Sequence, residues 1–419
     1  MSEATALEDR LPFDAELERL GRALLSHPEP LCRECRGRVL GRRGHGLTNP
    51  ERALLLARRL TLDPPEPTAD RPCVICGGLF DALERWAVRC EEASGPWEFR
   101  TFRCGSRWDP ERLAREEALW LTLGSPWGES ARVAFNRELG KLLERRWGKP
   151  GDQEPAELVL LSDLPSGRVE LTVAPLFVEG RYRKLDRSLP QTRWPCRRCR
   201  GRGCDACQGT GKTYPTSVEE LLGGPLLRLA EGSGHAFHGM GREDIDARML
   251  GTGRPFVLEI SRPHRRSVDL ERAAEAVAEG AKGRVELVRW DFTTGDRVER
   301  LKEARPEKTY RIEVRPAVPE AKVKEALPLV TLRPLEQRTP LRVQHRRADK
   351  VRQRWVREVR WVSCTDDSFT LELRTEAGTY VKEFVDGDQG RTHPSLSELL
   401  GQPLTVSALD VLAIHDEEN

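Results

Sequence analysis

Leucine recurs at positions 17, 20, 24 and 25 of DAELERLGRALL, which draws one apolar stripe along a helix over 14–25. PERALLLARRL (50–60) predicts a second helix, with Pro50 suited to its first turn. PERLAREEALWLTL (110–123) and SARVAFNRELGKLLERRW (130–147) predict two more. Short apolar runs predict strands at 157–163 and 168–178, after a turn in PGDQEP (150–155). Beyond 215 strands dominate, at 255–263, 283–292, 308–316, 352–364 and 368–385, the last folded as a hairpin at Glu376–Gly378. Helices are expected there at 270–281 and 394–401. The pattern predicts an α+β chain in three parts: a helical module over 1–80, an α/β domain over 81–185, and a domain over 186–419 built on a mixed, mostly antiparallel sheet.

Composition narrows this picture. A chain of 419 residues with 38% hydrophobic and 32% charged residues can hold several cores and is too apolar to be disordered. The net charge of +2 demands no polyanionic partner, so any such partner must be met by a local patch. One stands out: residues 181–213 carry ten basic side chains against two acidic ones and are expected to form a loop. No run approaches the roughly 20 apolar residues of a membrane helix. The opening MSEATALEDR has no signal-peptide pattern, so a cytoplasmic chain is expected. The closing HDEEN reads as a short acidic tail with no assigned role.

Eight of the eleven cysteines fall in CxxC pairs. Cys32 and Cys35 are followed, after 37 residues, by Cys73 and Cys76. A CxxC turn aims two thiolates at one ion, and two turns complete a closed tetrahedron of structural type, for which zinc is the default. The second set, Cys196, Cys199, Cys204 and Cys207, lies in two consecutive CxxCxGxG units, CRRCRGRG and CDACQGTG, whose glycines let the backbone turn around a metal. One or two structural zinc ions are expected, and the arginines around the second set suit a phosphate backbone. Cys90, Cys104 and Cys364 are left over as core residues.

The chemistry is expected in GMGREDIDARMLGTGRPFVLEI (239–260), where charged residues crowd a glycine-bounded loop before an apolar strand. Arg242 stands two residues from Asp244, and a nearby cation keeps a carboxylate ionised. By composition alone this is equally a surface ion-pair loop. GREDIDARMLGTGRPF, however, resembles the signature loop of the archaeal-type tRNA pseudouridine 54/55 synthase family, whose nucleophile then falls on Asp244, with Asp246 as competitor. Lys308-Thr-Tyr310 resembles the family's K-x-Y strand, and Gly378-Thr-Tyr380-Val-Lys382 its G-T-Y-[IV]-[KR] motif. QRTPLRVQHRRAD (337–349), GDQGRTHPSLSELLG (387–401) and RYRKLDRSLPQTRW (181–194) extend the likeness.

The resemblance implies a THUMP-like RNA-binding domain over 81–185 and a pseudouridine synthase catalytic domain over 186–419 carrying the basic zinc loop 194–212. It implies isomerisation of uridine 54 and/or 55 in the TΨC arm of tRNA by an aspartate nucleophile without a cofactor. Tyr310 would stack on the target base and help remove its C5 proton, and Tyr380 would line the pocket. Lys382, with Arg242 as runner-up, would neutralise and orient Asp244. The run Arg338, Arg342, His345, Arg346, Arg347 and Lys350, and the strand arginines 352, 354, 357 and 360, are candidates for gripping RNA. A monomer is expected, with no membrane and no nucleotide cofactor, since neither GxxxxGK[ST] nor a strand–helix GxGxxG occurs. Three other readings compete: a tRNA-binding or folding protein that keeps the scaffold without catalysis, a zinc-finger co-chaperone, and another THUMP-bearing tRNA modifier.

Overall fold

The structure is a computed structural model that describes residues 10–151 and 154–416, leaving aside the side chain of Arg346. The last three residues of the acidic tail, and Arg346 of the basic run, therefore lie outside the described residues. The chain forms two compact units, Met1–Ala174 and Pro175–Asn419. Both mix helix and sheet, so the α+β expectation holds.

In the first unit, helices α1 (Ala15–Leu25), α2 (Arg33–Gly37), α3 (Asn49–Leu60) and α4 (Leu83–Ser94) precede strand β1 (Phe102–Arg107). Helices α5 (Pro110–Leu123) and α6 (Ala131–Trp147) follow, then strands β2 (Leu158–Asp163) and β3 (Arg168–Val173). Four of the six helices start at a side-chain oxygen cap: Asp14, Thr48, Asp109 and Ser130 each accept a first-turn backbone N–H. The sheet order is β1-β2-β3, parallel between the first two strands and antiparallel between the others. One core runs from Leu11 to Leu160 without a break near residue 80, and it includes all four cysteines of the first set. Phe135 of α6 is fully buried there, edge-on to Trp86 and Trp108. Arg38, also fully buried, pairs with Glu116.

The second unit opens on strand β4 (Leu176–Lys184). The single strand expected over 168–178 is thus two, broken at Ala174-Pro175, and β4 hydrogen-bonds within the second unit's sheet. That sheet also contains β5 (Gly234–Gly239), β6 (Ala247–Ser261), β7 (Val285–Thr293) and β8 (Glu307–Arg315). Strands β11 (Val356–Cys364), β12 (Phe369–Thr375) and β14 (Thr405–His415) complete it. Its order is β11-β12-β8-β14-β6-β4-β7, with β5 added along β6. Only the β14–β6 pair is parallel. Helices α7 (Val218–Leu229) and α8 (Leu270–Ala281) cover one part of it, and α9 (Asp296–Glu303) and α10 (Glu320–Thr331) another. A small sheet joins β9 (Leu335–Arg338) to β10 (Val351–Arg354) and β13 (Thr392–His393).

Four expectations change here. The strand read over 352–364 is β10 and β11, which belong to different sheets. The hairpin read over 368–385 is strand β12, a turn, and helix α11 (Val381–Asp386), which precedes the short α12 (Leu396–Leu400). The basic segment 181–213 is not all loop: its first four residues finish β4, where Arg181 and Lys184 are buried. Of the leftover cysteines only Cys90 is a core residue, since Cys104 is half-buried and Cys364 exposed.

Candidate active site and metal centres

The loop between β5 and β6 carries the expected carboxylate, and its neighbours point in different directions. Glu243 is buried and paired through Arg254 Nε at 2.8 Å; Tyr182 Oη donates to it at 3.0 Å. Gln191 Nε2 donates to Tyr182 Oη at 2.9 Å and to the Gly241 carbonyl at 3.1 Å. Arg254 Nη1 donates to the Met240 carbonyl at 2.7 Å. Beneath the loop, Lys184 Nζ donates to the carbonyls of Leu189, Asp244 and Ile245 at 2.9, 3.2 and 2.7 Å. A buried ammonium needs this many acceptors to offset its lost hydration, and here two of them are the carbonyls of the consecutive Asp244–Ile245 and Ile245–Asp246 peptides.

Asp244 emerges from this base into a cavity of about 860 Å³. Its Oδ1 accepts from Arg342 Nη1 at 2.9 Å, and its Oδ2 lies 3.6 Å from Lys382 Nζ. Arg342 is itself held by the buried Glu383, which accepts from Nε at 2.6 Å and Nη2 at 3.3 Å. Lys382 sits closer to Asp246, at 2.7 and 2.9 Å from its two oxygens, and holds that carboxyl below its usual range against the opposing effect of burial. Lys382 lies within ion-pair distance of Asp244, but the nearer cation is Arg342, which is among the candidates for gripping RNA. Arg242 lines the same cavity, with its guanidinium over the ring of Trp194 at 5.3 Å.

Tyr310 and Tyr380 both line the cavity. Burial pushes the Tyr310 phenol up to about 12, although Arg254 opposes it. Tyr380 is not on a strand but at the N-cap of α11, where the buried Gln337 amide grips it twice: Tyr380 N donates to Oε1 at 2.9 Å, and Nε2 donates to Tyr380 O at 3.0 Å. That clamp sets the start of α11 and so the direction of Lys382 and Glu383. The basic residues divide. Arg347, Arg352 and Arg354 line the cavity, whereas Arg338 pairs with Asp349, Arg357 with Glu307 and Glu376, and Arg360 with Glu372.

Both cysteine sets close into clusters able to hold a metal ion, with the four ligand atoms of each within 4.8 Å of one another. Cys32 and Cys76 sulfurs are 3.6 Å apart, and the second set shows separations of 3.7, 3.8 and 4.0 Å. A tetrahedral zinc with bonds of about 2.3 Å spaces its sulfurs by about 3.8 Å. In the second set, Gly203 N donates to Cys199 Sγ and Gly211 N to Cys207 Sγ, each at 3.2 Å. Burial raises the Cys207 thiol, but the N–H donors of Cys204 and Gly211 outweigh it and bring the group to about 6. The glycines are needed where the two units meet back to back: a Cβ on Gly211, at φ 68°, would lie 2.4 Å from the Gly201 carbonyl oxygen.

Residues 177–415 match the family described as Pus10, C-terminal, and residues 86–163 match the Pus10 THUMP domain, archaeal. A tRNA pseudouridine synthase Pus10 from Methanopyrus kandleri is 41% identical, aligned over 90% of this chain and 89% of its own. Its namesake from Methanothermobacter marburgensis is 41% identical over 95% of this chain and 98% of its own. A solved Cbf5-Nop10-Gar1 complex aligns with 57% of this chain at 13% identity and a TM-score of 0.32, too loose a likeness to define the fold. The close matches place the chain in the pseudouridine synthase class of enzymes. The family to which it belongs is Pus10. Among the described residues no helix is long and apolar enough to cross a membrane.

Proposed function

We propose that this chain isomerises uridine 54, uridine 55 or both in the TΨC arm of tRNA, with Asp244 as the nucleophile and no catalytic cofactor. One arrangement carries the reading: Asp244 stands in a large cavity between Arg342 and Lys382, with Tyr310 and Tyr380 on the same walls. Isomerisation breaks the N1–C1′ bond and joins C5 to C1′. It moves no electrons in or out of the substrate, so a carboxylate that attacks or stabilises the detached sugar is the group required. Arg342 and Lys382 hold that carboxylate in place and balance its charge. Tyr310 offers a face for the uracil ring, and Tyr380 packs on the base or ribose.

The target nucleotide must leave its stack, at a cost of a few kcal/mol. Arg347, Arg352 and Arg354 on the cavity wall, and the arginines of the second cysteine loop, supply phosphate contacts that offset it. The unit matched as THUMP adds a second hold on tRNA. Zinc fits both cysteine clusters and would hold them closed as structural ions, without an open position for chemistry. The protein acts as a cytoplasmic monomer in this reading. The test is site-mapped pseudouridine formation on an unmodified tRNA transcript, with Asp244→Asn beside wild type. Pseudouridine in the TΨC arm from wild type alone, with equal tRNA binding, is the expected result. Binding without product from wild type would leave an RNA-binding protein and sink the catalytic reading.

A further inference from the structure

Tyr310 is not alone on its wall of the cavity. Lys308 stands two residues before it on β8, and side chains two apart on a strand share a face. Both line the cavity that holds Asp244. Lys308 Nζ and Arg254 Nη1 lie 3.0 and 3.2 Å from one point, the place a Cβ on Gly241 would occupy. The lysine end therefore lies against the glycine turn that leads into Asp244, with a guanidinium as neighbour and, among the described residues, no carboxylate bonded to it.

We propose that Lys308 is the group that takes the C5 proton of the target base, a reading that rests on the isomerase function above. Once C5 has joined C1′, C5 carries both a hydrogen and the sugar. The neutral amine of Lys308 accepts that hydrogen as a proton. The C5–H electron pair becomes the C5=C6 double bond, and the C6=N1 pair moves onto N1, which takes up a proton from water. The Lys308 ammonium then returns its proton to water, so the substrate is isomerised with no net gain or loss.

The surroundings suit this role. Burial lowers Lys308 most, the neighbouring Arg254 and Arg305 lower it further, and Glu243 opposes them, leaving the group at about 7. Glu243 is already neutralised by its bond to Arg254. From the other elements around the cavity, Lys302 at the end of α9 adds another positive charge, and Asp244 is occupied by Arg342 and Lys382. At neutral pH a large share of Lys308 is free base, whereas Tyr310 at about 12 is almost wholly protonated and has no place for the proton. Tyr310 is left with the stacking role.

The experiment measures single-turnover rates of wild type, Lys308→Met, Lys308→Arg and Asp244→Asn on two tRNA transcripts. One carries uridine, with and without deuterium at C5, and the other carries 5-fluorouridine, which has no C5 proton to lose. Wild type should gain rate with pH up to about 7 and then level off, because only the free base accepts a proton. Lys308→Met should lose about 100-fold or more on uridine, lose the pH limb and show a primary deuterium isotope effect at every pH, whereas wild type shows one only on its low-pH limb. Lys308→Arg should be no better, since arginine stays protonated. Both Lys308 variants should bind tRNA and rearrange the 5-fluorouridine transcript at the wild-type rate, while Asp244→Asn fails on both transcripts. Equal slowing of Lys308→Met on the two transcripts, or a wild-type pH limb in that variant, overturns the role of Lys308 and leaves Asp244 standing. No product from wild type on uridine overturns both.

Discussion

Arg342 holds two carboxylates with one guanidinium, Asp244 through Nη1 and Glu383 through Nε and Nη2. A lysine keeps the charge but cannot span both partners, because its ammonium is a single point on a flexible stem. Arg342→Lys should therefore lower the single-turnover rate by about 100-fold, the usual loss when a preorganised electrostatic partner is misplaced, with tRNA affinity unchanged. Asp246 gives the contrast. Its side chain is 66% exposed, and its bond to Lys382 is of the kind worth about 0–1 kcal/mol. Asp246→Asn should keep its rate within about fivefold of wild type; a loss as large as that of Asp244→Asn would move the nucleophile to Asp246. The residue scale also shows why the site was half legible. Asp244, Tyr310, Tyr380 and Lys382 sit in short motifs that the family resemblance picks out. Arg342 sits in QRTPLRVQHRRAD, where several cations look alike, and only the fold around Glu383 distinguishes it from Arg338 or Arg347. Glu243, Arg254 and Lys184 were missed for a related reason: charged residues in a loop read as surface, and the buried acceptors that retain them come from distant parts of the chain.

At the level of elements, legibility followed the local signals. Helices 110–123, 131–147 and 270–281 carry a cap and a continuous helical stripe, and they form where expected. VKEFVD (381–386) is too short to show a period, and its valines read as strand; the Gln337 clamp on Tyr380 and the packing of Phe384 and Val385 into the core make it helical. The β5–β6 loop depends in the same way on a contact from another element. Lys184 at the end of β4 supplies the donor for two of its carbonyls. Lys184→Met keeps the volume and removes the donor, leaving buried acceptors at about 1–3 kcal/mol each. The expected outcome is a melting temperature lower by several degrees, roughly 2–4 °C per kcal/mol in a unit of this size. The single-turnover rate should fall at least about tenfold, since a shift of 1 Å at the carboxylate already costs more, while tRNA affinity stays unchanged. A variant with that thermal loss but full activity would show that the loop is placed without Lys184.

Across the whole molecule, the two cysteine clusters have the same ligands but different relations to their cores. Cys35 and Cys76 are fully buried and belong to the main core of the first unit, alongside Leu31, Val39 and Ile75. Cys196, Cys199, Cys204 and Cys207 form a cluster of their own, with no aliphatic or aromatic core residue in it. If both hold zinc, purified protein should contain two ions per chain by elemental analysis, and Cys35→Ser and Cys199→Ser should each contain one. Their consequences should differ. In Cys35→Ser, losing the first ion leaves three sulfurs and a hydroxyl without a metal inside an apolar core, where unpaired polar groups are costly. Metal binding there is part of the folding free energy, so Cys35→Ser should lose the cooperative thermal transition of the first unit. Losing the second ion opens a glycine-rich loop that no core depends on, so Cys199→Ser should melt near the wild-type temperature. Its defect should appear in tRNA affinity, because the loop's arginines then lose their fixed spacing, and the salt dependence of binding should become shallower as phosphate contacts are lost. A Cys199→Ser protein that binds tRNA with the wild-type salt slope would remove the second cluster from the RNA interface, and one that fails to fold would show that the second unit depends on its metal as the first does.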